Sequence, residues 1–137
     1  MKCRLIAFLC VLTTLSINAV EVSDKLLHAL KMAESGCKSD AISDNGKAVG
    51  ILQLHKVYVD DANRIIGYNK YTYNDRYDVR KSEEIALIVL AHYGDIYECN
   101  TGKPCTDEVL ARIHNLGYSN WDSELGVIYW NRVKQFM

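Results

Sequence analysis

The sequence lacks the motifs that mark metal-dependent and nucleophilic enzymes. It has no His-Glu-x-x-His helix, no Cys-x-x-Cys pair, no Gly-x-Ser-x-Gly elbow and no phosphate-binding Gly-x-x-x-x-Gly-Lys loop. The four histidines are scattered along the chain, at His28, His55, His92 and His114. We therefore expect no metal site, and serine hydrolases and phosphate-binding enzymes are disfavoured.

A basic patch is also lacking. The 137 residues include 16 Lys and Arg against 17 Asp and Glu, a formal net charge of −1, and no cluster of basic residues is visible. Nucleic-acid binding depends on such clusters, because they neutralise phosphates. We expect no nucleic-acid partner, and we expect ligand binding to depend on a groove instead of on long-range charge.

Residues 1–19 are predicted to be a signal peptide. Lys2 and Arg4 precede an apolar run over residues 5–15, and Ala19 offers a small residue for cleavage. The run is too short for a lasting membrane span. We expect cleavage after Ala19, no stable membrane span, and a secreted or periplasmic protein that is more acidic because Lys2 and Arg4 are lost.

The remaining residues, 20–137, are predicted to form one mainly helical (α+β) domain. No repeat, linker or low-complexity tract is present, and 49% hydrophobic residues are enough for a core. Apolar residues recur at helical spacing in five segments, which are 23–36, 56–66, 82–97, 107–114 and 123–136. The third is broad enough on its apolar face to be the central helix. Residues 49–54 are either a strand or buried extended chain, so we expect at most a small β-hairpin.

Residues 68–80 form an irregular segment that carries four tyrosines, Tyr68, Tyr71, Tyr73 and Tyr77. Tyrosine rings stack on sugars and their hydroxyls bond to sugar hydroxyls, so a saccharide subsite is one interpretation. The alternative is a loop that its aromatic residues pin to the core.

Three cysteines, Cys37, Cys99 and Cys105, remain after processing, and export favours a disulfide. Three thiols allow three single pairings. We predict the local pair Cys99–Cys105, because its short loop closes easily and would add about 2 kcal/mol. Cys37 would then be an unpaired, buried and inert thiol, since no basic partner lies near it in sequence.

Residues 31–54 hold the main candidate for a catalytic site. Glu34 lies in the last turn of a helical pattern that ends at Gly36, and a polar loop with an Asp44-Asn45-Gly46 turn leads to an apolar run that ends at Gln53. A carboxylic acid in partly apolar surroundings stays protonated near neutral pH and can donate its proton to a leaving group. On spacing alone, a surface glutamate near a helix end is an equal alternative.

The order of these pieces resembles the active-site segment of goose-type lysozymes and soluble lytic transglycosylases. Those families place Glu-Ser before a loop and then Gly-x-x-Gln, which here are Glu34-Ser35 and Gly50-Ile51-Leu52-Gln53. Further on, the families carry an Ala-Tyr-Asn-x-Gly type motif, where this chain has Ile113-His114-Asn115-Leu116-Gly117. Tyr129 matches a tyrosine near the C-terminus of the families. The ordered set spans nearly the whole chain after the leader. It implies a lysozyme-like single domain with a small antiparallel sheet.

The resemblance also implies the chemistry. Lytic transglycosylases cleave the β-1,4 bond between N-acetylmuramic acid and N-acetylglucosamine in peptidoglycan glycan strands. One Glu, here Glu34, acts as acid and then as base, while the muramic acid's own hydroxyl closes a 1,6-anhydro ring. No cofactor is needed. We expect a monomer that acts on peptidoglycan.

The resemblance assigns substrate-binding roles to further residues. Ser35 would bond near the acid or the sugar, Gln53 and Asn115 would contact N-acetyl groups, and Tyr129 would lie close to Glu34. Each has a structural alternative. Ser35 could simply finish the helix, either amide could satisfy the backbone, and Tyr129 could be a core aromatic residue.

Two departures from the families bear on the reaction. Asp44 falls where goose-type lysozymes place one loop acid, but His55 stands where they carry another Asp, and Ile113-His114 replaces Ala-Tyr. Loss of a water-positioning acid favours the transglycosylase. The alternatives are a hydrolytic lysozyme that uses Glu34 and Asp44, in which Asp44 would be more than a turn residue, and a non-catalytic module that binds glycan or protein.

Overall fold

The computed structural model describes residues 19–137, and the predicted signal peptide, apart from Ala19, lies outside these residues. The helices and strands are α1 Asp24–Ser35, β1 Ile42–Ser43, β2 Ala48–Val49, α2 Lys56–Ile66, α3 Val79–Thr101, α4 Asp107–Leu116 and α5 Glu124–Val133. Short 3-10 helices occupy Asp44–Gly46, Tyr73–Tyr77 and Lys134–Phe136. The prediction of a mainly helical domain with one small hairpin is confirmed. From residue 19 onwards, no helix is long and apolar enough to cross a membrane.

Helix α1 places Glu34 at the edge of the core. The Ser23 side chain accepts the Leu26 backbone N–H at 3.1 Å, and Gly36 ends the helix with a φ of +62°, as predicted. Leu26 and Leu30 are fully buried. Because residues four apart share a helix face, Glu34 continues this buried stripe at its last turn.

Helix α3 is longer than predicted and crosses the centre of the domain. The Asp78 side chain accepts the Lys81 N–H at 2.9 Å, so the helix begins at Val79 instead of near Ser82. Its buried face includes Ile85 and Leu90, as expected, whereas Leu87, Ile88 and Ala91 are only partly buried. The helix packs against α2 on one side and α4 on the other.

The hairpin is smaller than the apolar run suggests. Ile42 pairs with Val49 and Ser43 with Ala48 in an antiparallel ladder. Residues 50–53 form a turn, after which Leu54 pairs back to Val49. Of the predicted extended run over residues 49–54, only its first residue therefore lies in a strand.

The hairpin is fastened to the segment that precedes α3. Gly50 has a φ of +80°, and a Cβ at this position would lie 1.9 Å from the Arg76 carbonyl oxygen. The Arg76 side chain, 5% exposed, donates from Nη1 to the carbonyls of Lys47 at 3.0 Å and Leu54 at 2.9 Å. It also donates from Nε to the Tyr73 carbonyl at 2.8 Å. These contacts set the position of the loop that faces Glu34.

The predicted Cys99–Cys105 disulfide is wrong, because both residues are free thiols in the structure. Helix α3 continues to Thr101, which leaves Cys99 exposed on its last turns. Cys105 is half-buried against the core, and its backbone N–H donates to Glu98 at 2.8 Å. Burial, together with the nearby Glu98 carboxylate, raises the pKa of the Cys105 thiol to about 11.

Cys37 is also a free thiol, as predicted. It is exposed, however, whereas we predicted a buried thiol. It follows Gly36 in the turn that ends α1 and has a φ of +64°. Its side chain therefore points away from the core, and its Sγ lies 3.5 Å from the Met32 Sδ.

Candidate active site

Glu34 lies in an open cleft of about 600 Å³ between the hairpin loop and the helices. Four helices and the loop contribute to its walls. The lining residues are Glu34, Ser43, Asp44, Ala48, Gln53, His55, Val57, Tyr58, Asp61, Val89, Tyr93, Ile113, His114, Asn115 and residues 116–120. Of the predicted site residues, Glu34, Asp44, Gln53 and Asn115 line this cleft.

Tyr129 holds the carboxyl group of Glu34. The Tyr129 hydroxyl donates to Glu34 Oε1 at 2.5 Å, across 95 residues of sequence, and only 12% of the Glu34 side chain is exposed. Burial, and secondarily the nearby Glu34 carboxyl, raise the pKa of Tyr129, so its hydroxyl stays protonated and remains a donor. The structure therefore brings Tyr129 to the acid, as the resemblance implied, and places it in the core as well.

His114 lies on the other side of the same carboxyl oxygen. Its Nε2 is 3.7 Å from Glu34 Oε1, and its Nδ1 is 2.9 Å from the Tyr58 hydroxyl. The side chain is only 3% exposed. Burial lowers the pKa of His114, and the opposing effect of Glu34 is smaller. The imidazole is therefore neutral near pH 7.

The loop wall carries a different kind of pair. His55 Nε2 lies 3.5 Å from Asp44 Oδ2, and both side chains are about half exposed. Asp44 and Asn45 both have positive φ, +50° and +55°, in the turn between the two strands. Asp44 is thus a turn residue that also faces the cleft.

The Gln53 side chain makes its hydrogen bonds within its own loop. Its Nε2 donates to the carbonyls of Ala41 at 3.0 Å and Gly50 at 2.8 Å, and its Oε1 accepts the Ser43 hydroxyl at 2.5 Å. These contacts agree with the alternative to substrate binding, in which the amide forms hydrogen bonds with backbone groups. Gln53 shapes the cleft wall with a φ of +49°.

Ser35 and Asn115 differ in their relation to the cleft. The Ser35 hydroxyl donates to the Ile51 carbonyl at 2.8 Å and accepts the Lys38 N–H at 3.0 Å, so it joins the end of α1 to the loop, outside the cleft lining. Asn115 is exposed in the last turn of α4. Its side chain makes no hydrogen bond to the residues that the structure describes, so it is free to meet a ligand.

Several cleft residues were missed by the sequence analysis. Tyr58 and Asp61 lie three apart on one face of α2, and the Tyr93 hydroxyl donates to Asp61 at 3.0 Å. The Tyr93 and Tyr118 rings stack with centroids 5.5 Å apart. Helical spacing alone places Tyr58 and Asp61 together, but no sequence signal shows that this face meets α4.

The tyrosine-rich segment contributes no saccharide subsite to this cleft. None of Tyr68, Tyr71, Tyr73 and Tyr77 lines it. Tyr71 is buried and its hydroxyl donates to Glu84 at 2.9 Å, which pins the segment to α3.

A metal site is not evident in the part of the chain that the structure describes. Between residues 19 and 137, no group of three or more His, Cys, Asp or Glu side chains is arranged to hold a metal ion.

Comparison with known structures places this architecture among lysozyme-like folds. A chain from the crystal structure of Aeromonas hydrophila PliI in complex with Meretrix lusoria lysozyme aligns with a TM-score of 0.68 and 23% identity, over 83% of this chain and 89% of that one. Tapes japonica lysozyme aligns with a TM-score of 0.67 and 24% identity, over 86% and 94%. At this identity the likeness shows the fold alone.

The family is identified by comparing this sequence with models of protein families. The transglycosylase SLT domain matches residues 16–106 of the 137, a segment that contains Glu34 and Gln53 and ends before α4. The chain belongs to this family. A search of curated protein sequences returned no significant match. Membership implies a lytic-transglycosylase-like activity on peptidoglycan, and hence a place of action outside the cytoplasm.

Proposed function

We propose that the protein is a lytic transglycosylase that cleaves the β-1,4 bond between N-acetylmuramic acid and N-acetylglucosamine, with Glu34 as the acid and base. The observation that carries this proposal is the isolation of Glu34. Its carboxyl group accepts a hydrogen bond from the Tyr129 hydroxyl beside a neutral His114, at the edge of a cleft of about 600 Å³.

The other two acids of the cleft are engaged elsewhere. Asp44 pairs with His55 on the exposed loop wall, and Asp61 accepts from the Tyr93 hydroxyl and the Arg64 guanidinium. A reaction that needs only one carboxyl group fits this arrangement better than one that needs two.

The steps balance without water. Glu34 gives its proton to the glycosidic oxygen as the bond from C1 to that oxygen breaks, and the bond's electron pair leaves with N-acetylglucosamine. The Glu34 carboxylate then takes the proton of the C6 hydroxyl of N-acetylmuramic acid, whose oxygen forms the new bond to C1. The product is a 1,6-anhydro sugar, and Glu34 ends protonated as it began.

Hydrolysis is the second candidate, and the position of Asp44 favours it. Asp44 lines the same cleft, and His55 at 3.5 Å is a group that can hold its carboxylate in place. A carboxylate on the wall opposite the acid would direct a water molecule to C1. The product would then carry a reducing end.

Mass spectrometry of the fragments released from purified peptidoglycan by residues 20–137 distinguishes these reactions. We expect fragments that end in anhydromuramic acid, lighter by one water than hydrolytic products. Glu34→Gln should lower their release at least about 100-fold, because it removes the transferable proton. Asp44→Asn, the matched acid-to-amide control, should stay within about twofold of wild type, since the anhydro ring closes without a directed water.

Other products would change the assignment. Reducing ends whose release depends on both Glu34 and Asp44 would establish hydrolysis. Peptidoglycan binding without fragments, equal in wild type and Glu34→Gln, would leave only a non-catalytic binding module.

We infer further that residues 1–19 are a signal peptide and that the exported protein is secreted or periplasmic. The basic start and apolar run of the leader support the first point, and the extracytoplasmic substrate of the family supports the second. N-terminal sequencing of exported protein should begin at Val20.

A further inference from the structure

His114 and its neighbours fix where the imidazole carries its proton. Burial, and secondarily Glu34, raise the pKa of Tyr58, so its hydroxyl keeps its proton. Its one polar partner between residues 19 and 137 is His114 Nδ1, at 2.9 Å. Because Nδ1 is the only acceptor for this hydroxyl in that part of the chain, we assign the hydroxyl as the donor of the hydrogen bond. A neutral imidazole whose Nδ1 accepts carries its proton on Nε2.

The protonated Nε2 faces Glu34 Oε1 at 3.7 Å. The Leu52 carbonyl is a further acceptor within hydrogen-bond reach of the ring. A distance of 3.7 Å is longer than a hydrogen bond, so the contact is weak while Glu34 is a neutral acid. Once Glu34 has given up its proton, the charge on its carboxylate attracts the Nε2–H. The interaction is thus stronger after proton transfer than before it, which is the condition for lowering the barrier.

Both polar neighbours of Glu34 lie near the same carboxyl oxygen, Oε1. Tyr129 donates to Oε1 at 2.5 Å, and His114 faces Oε1 as well. Glu34 Oε2 has no hydrogen-bond partner in the described part of the protein. An oxygen that already accepts one hydrogen bond and faces a second N–H is a poor place for a proton, so the transferable proton belongs on Oε2.

We propose that His114 is a positioning residue that, as a neutral imidazole protonated on Nε2 and held by Tyr58, stabilises the Glu34 carboxylate through Oε1 and reserves Oε2 for proton exchange with the glycan. This inference rests on the proposed function. The groups that face the ring come from three other elements: Glu34 from α1, the Leu52 carbonyl from the loop and Tyr58 from α2.

Two amide substitutions at His114 distinguish the role of Nε2 from that of Nδ1. Gln at position 114 extends its amide to the place of Nε2, whereas Asn extends only to the place of Nδ1. On soluble peptidoglycan fragments, we expect His114→Gln to keep kcat within about threefold of wild type. His114→Asn should lower kcat about tenfold with an unchanged KM, since it loses one hydrogen bond that forms with the charge.

Nitrogen-15 NMR of the histidine side chains tests the tautomer without any activity assay. We expect the His114 signals of a neutral ring protonated on Nε2, and Tyr58→Phe should move them towards a mixture of tautomers. A ring protonated on Nδ1, or a charged ring at pH 7, would overturn the proposal.

The kinetic outcomes are also decisive. If Glu34→Gln abolishes the activity but the Asn and Gln variants are equally slow, or both match wild type, His114 does not act through Nε2 and only this inference fails. If wild type and Glu34→Gln release equal fragments, or none, the proposed function fails and takes this inference with it. Circular dichroism of both variants shows that they are folded before rates are compared.

Discussion

The two walls of the cleft are built in different ways. The helical wall is held by side chains: Tyr129 reaches Glu34 across 95 residues and Tyr58 reaches His114 across 56. These side chains are largely buried. The loop wall is held by its backbone conformation and by side chains, such as Arg76 and Gln53, that donate to its backbone carbonyls, and its Asp44–His55 pair is about half exposed. Residues with positive φ are concentrated in this wall, at Asp44, Asn45, Gly46, Gly50 and Gln53.

This difference separates two tasks. A proton donor needs surroundings in which water does not screen the electrostatic interactions. The helical wall provides them by burying the neutral hydrogen-bond donors Tyr129 and His114 around one carboxyl group. A glycan needs a rigid edge with exposed polar groups, which a turn fixed by its backbone supplies. We therefore expect substitutions in the helical wall to act on rate and pH dependence, and substitutions in the loop wall to act on stability.

The largest effect is expected from Gly50→Ala. The new Cβ would lie 1.9 Å from the Arg76 carbonyl, so the hairpin and the segment that holds it must separate. We expect the free energy of unfolding to fall by about 3 kcal/mol or more, from overpacking and from the positive φ together. Urea denaturation measures this.

Gly46→Ala is the matched control for this change. Gly46 has a φ of +84° in the same loop, but a Cβ there has no neighbour within 4 Å. Only the backbone strain remains, so we expect a loss of about 1 kcal/mol. Equal losses at both positions would mean that the contact with Arg76 does not define the loop wall.

The fold was predictable where one local signal decides it. Ser23, Gly36 and the apolar spacing between them define α1, and the structure follows them. The site was predictable only as an ordered motif. Gln53 lines the cleft, but its contacts with Ala41 and Gly50 depend on backbone angles that residue types do not specify.

What the sequence could not show depends on long-range packing. Arg76 is a charged residue in an irregular segment, and nothing local indicates that it is buried among backbone carbonyls. The pairing of Tyr58 with His114 requires α2 and α4 to meet, which periodicity does not determine. The disulfide prediction failed because α3 extends further than its apolar pattern, which places Cys99 on a helix surface.

A smaller effect, on rate, is expected from Tyr129→Phe. It removes the donor to Glu34 Oε1 while the ring keeps its place in the core. We expect kcat on soluble peptidoglycan fragments to fall about tenfold, which corresponds to one hydrogen bond to a charged group. The control is Tyr97→Phe, a buried tyrosine that packs on Trp121 away from the cleft. If both variants keep the wild-type rate, the hydroxyl of Tyr129 does not support Glu34.

The smallest effect is a pH dependence of stability that comes from His114 in the helical wall. The pKa of buried His114 is lowered in the folded protein, whereas an unfolded histidine has a pKa of about 6.5. As the pH falls below about 6.5, the unfolded chain therefore binds a proton that the folded chain does not, and stability decreases until the pH reaches the folded pKa. The contribution of one proton is at most about 1.4 kcal/mol per pH unit. We expect His114→Gln to flatten the free energy of unfolding in this window, measured by urea titrations at a series of pH values. A His114→Gln variant with the same slope as wild type in this window would contradict a buried, neutral His114 in the helical wall.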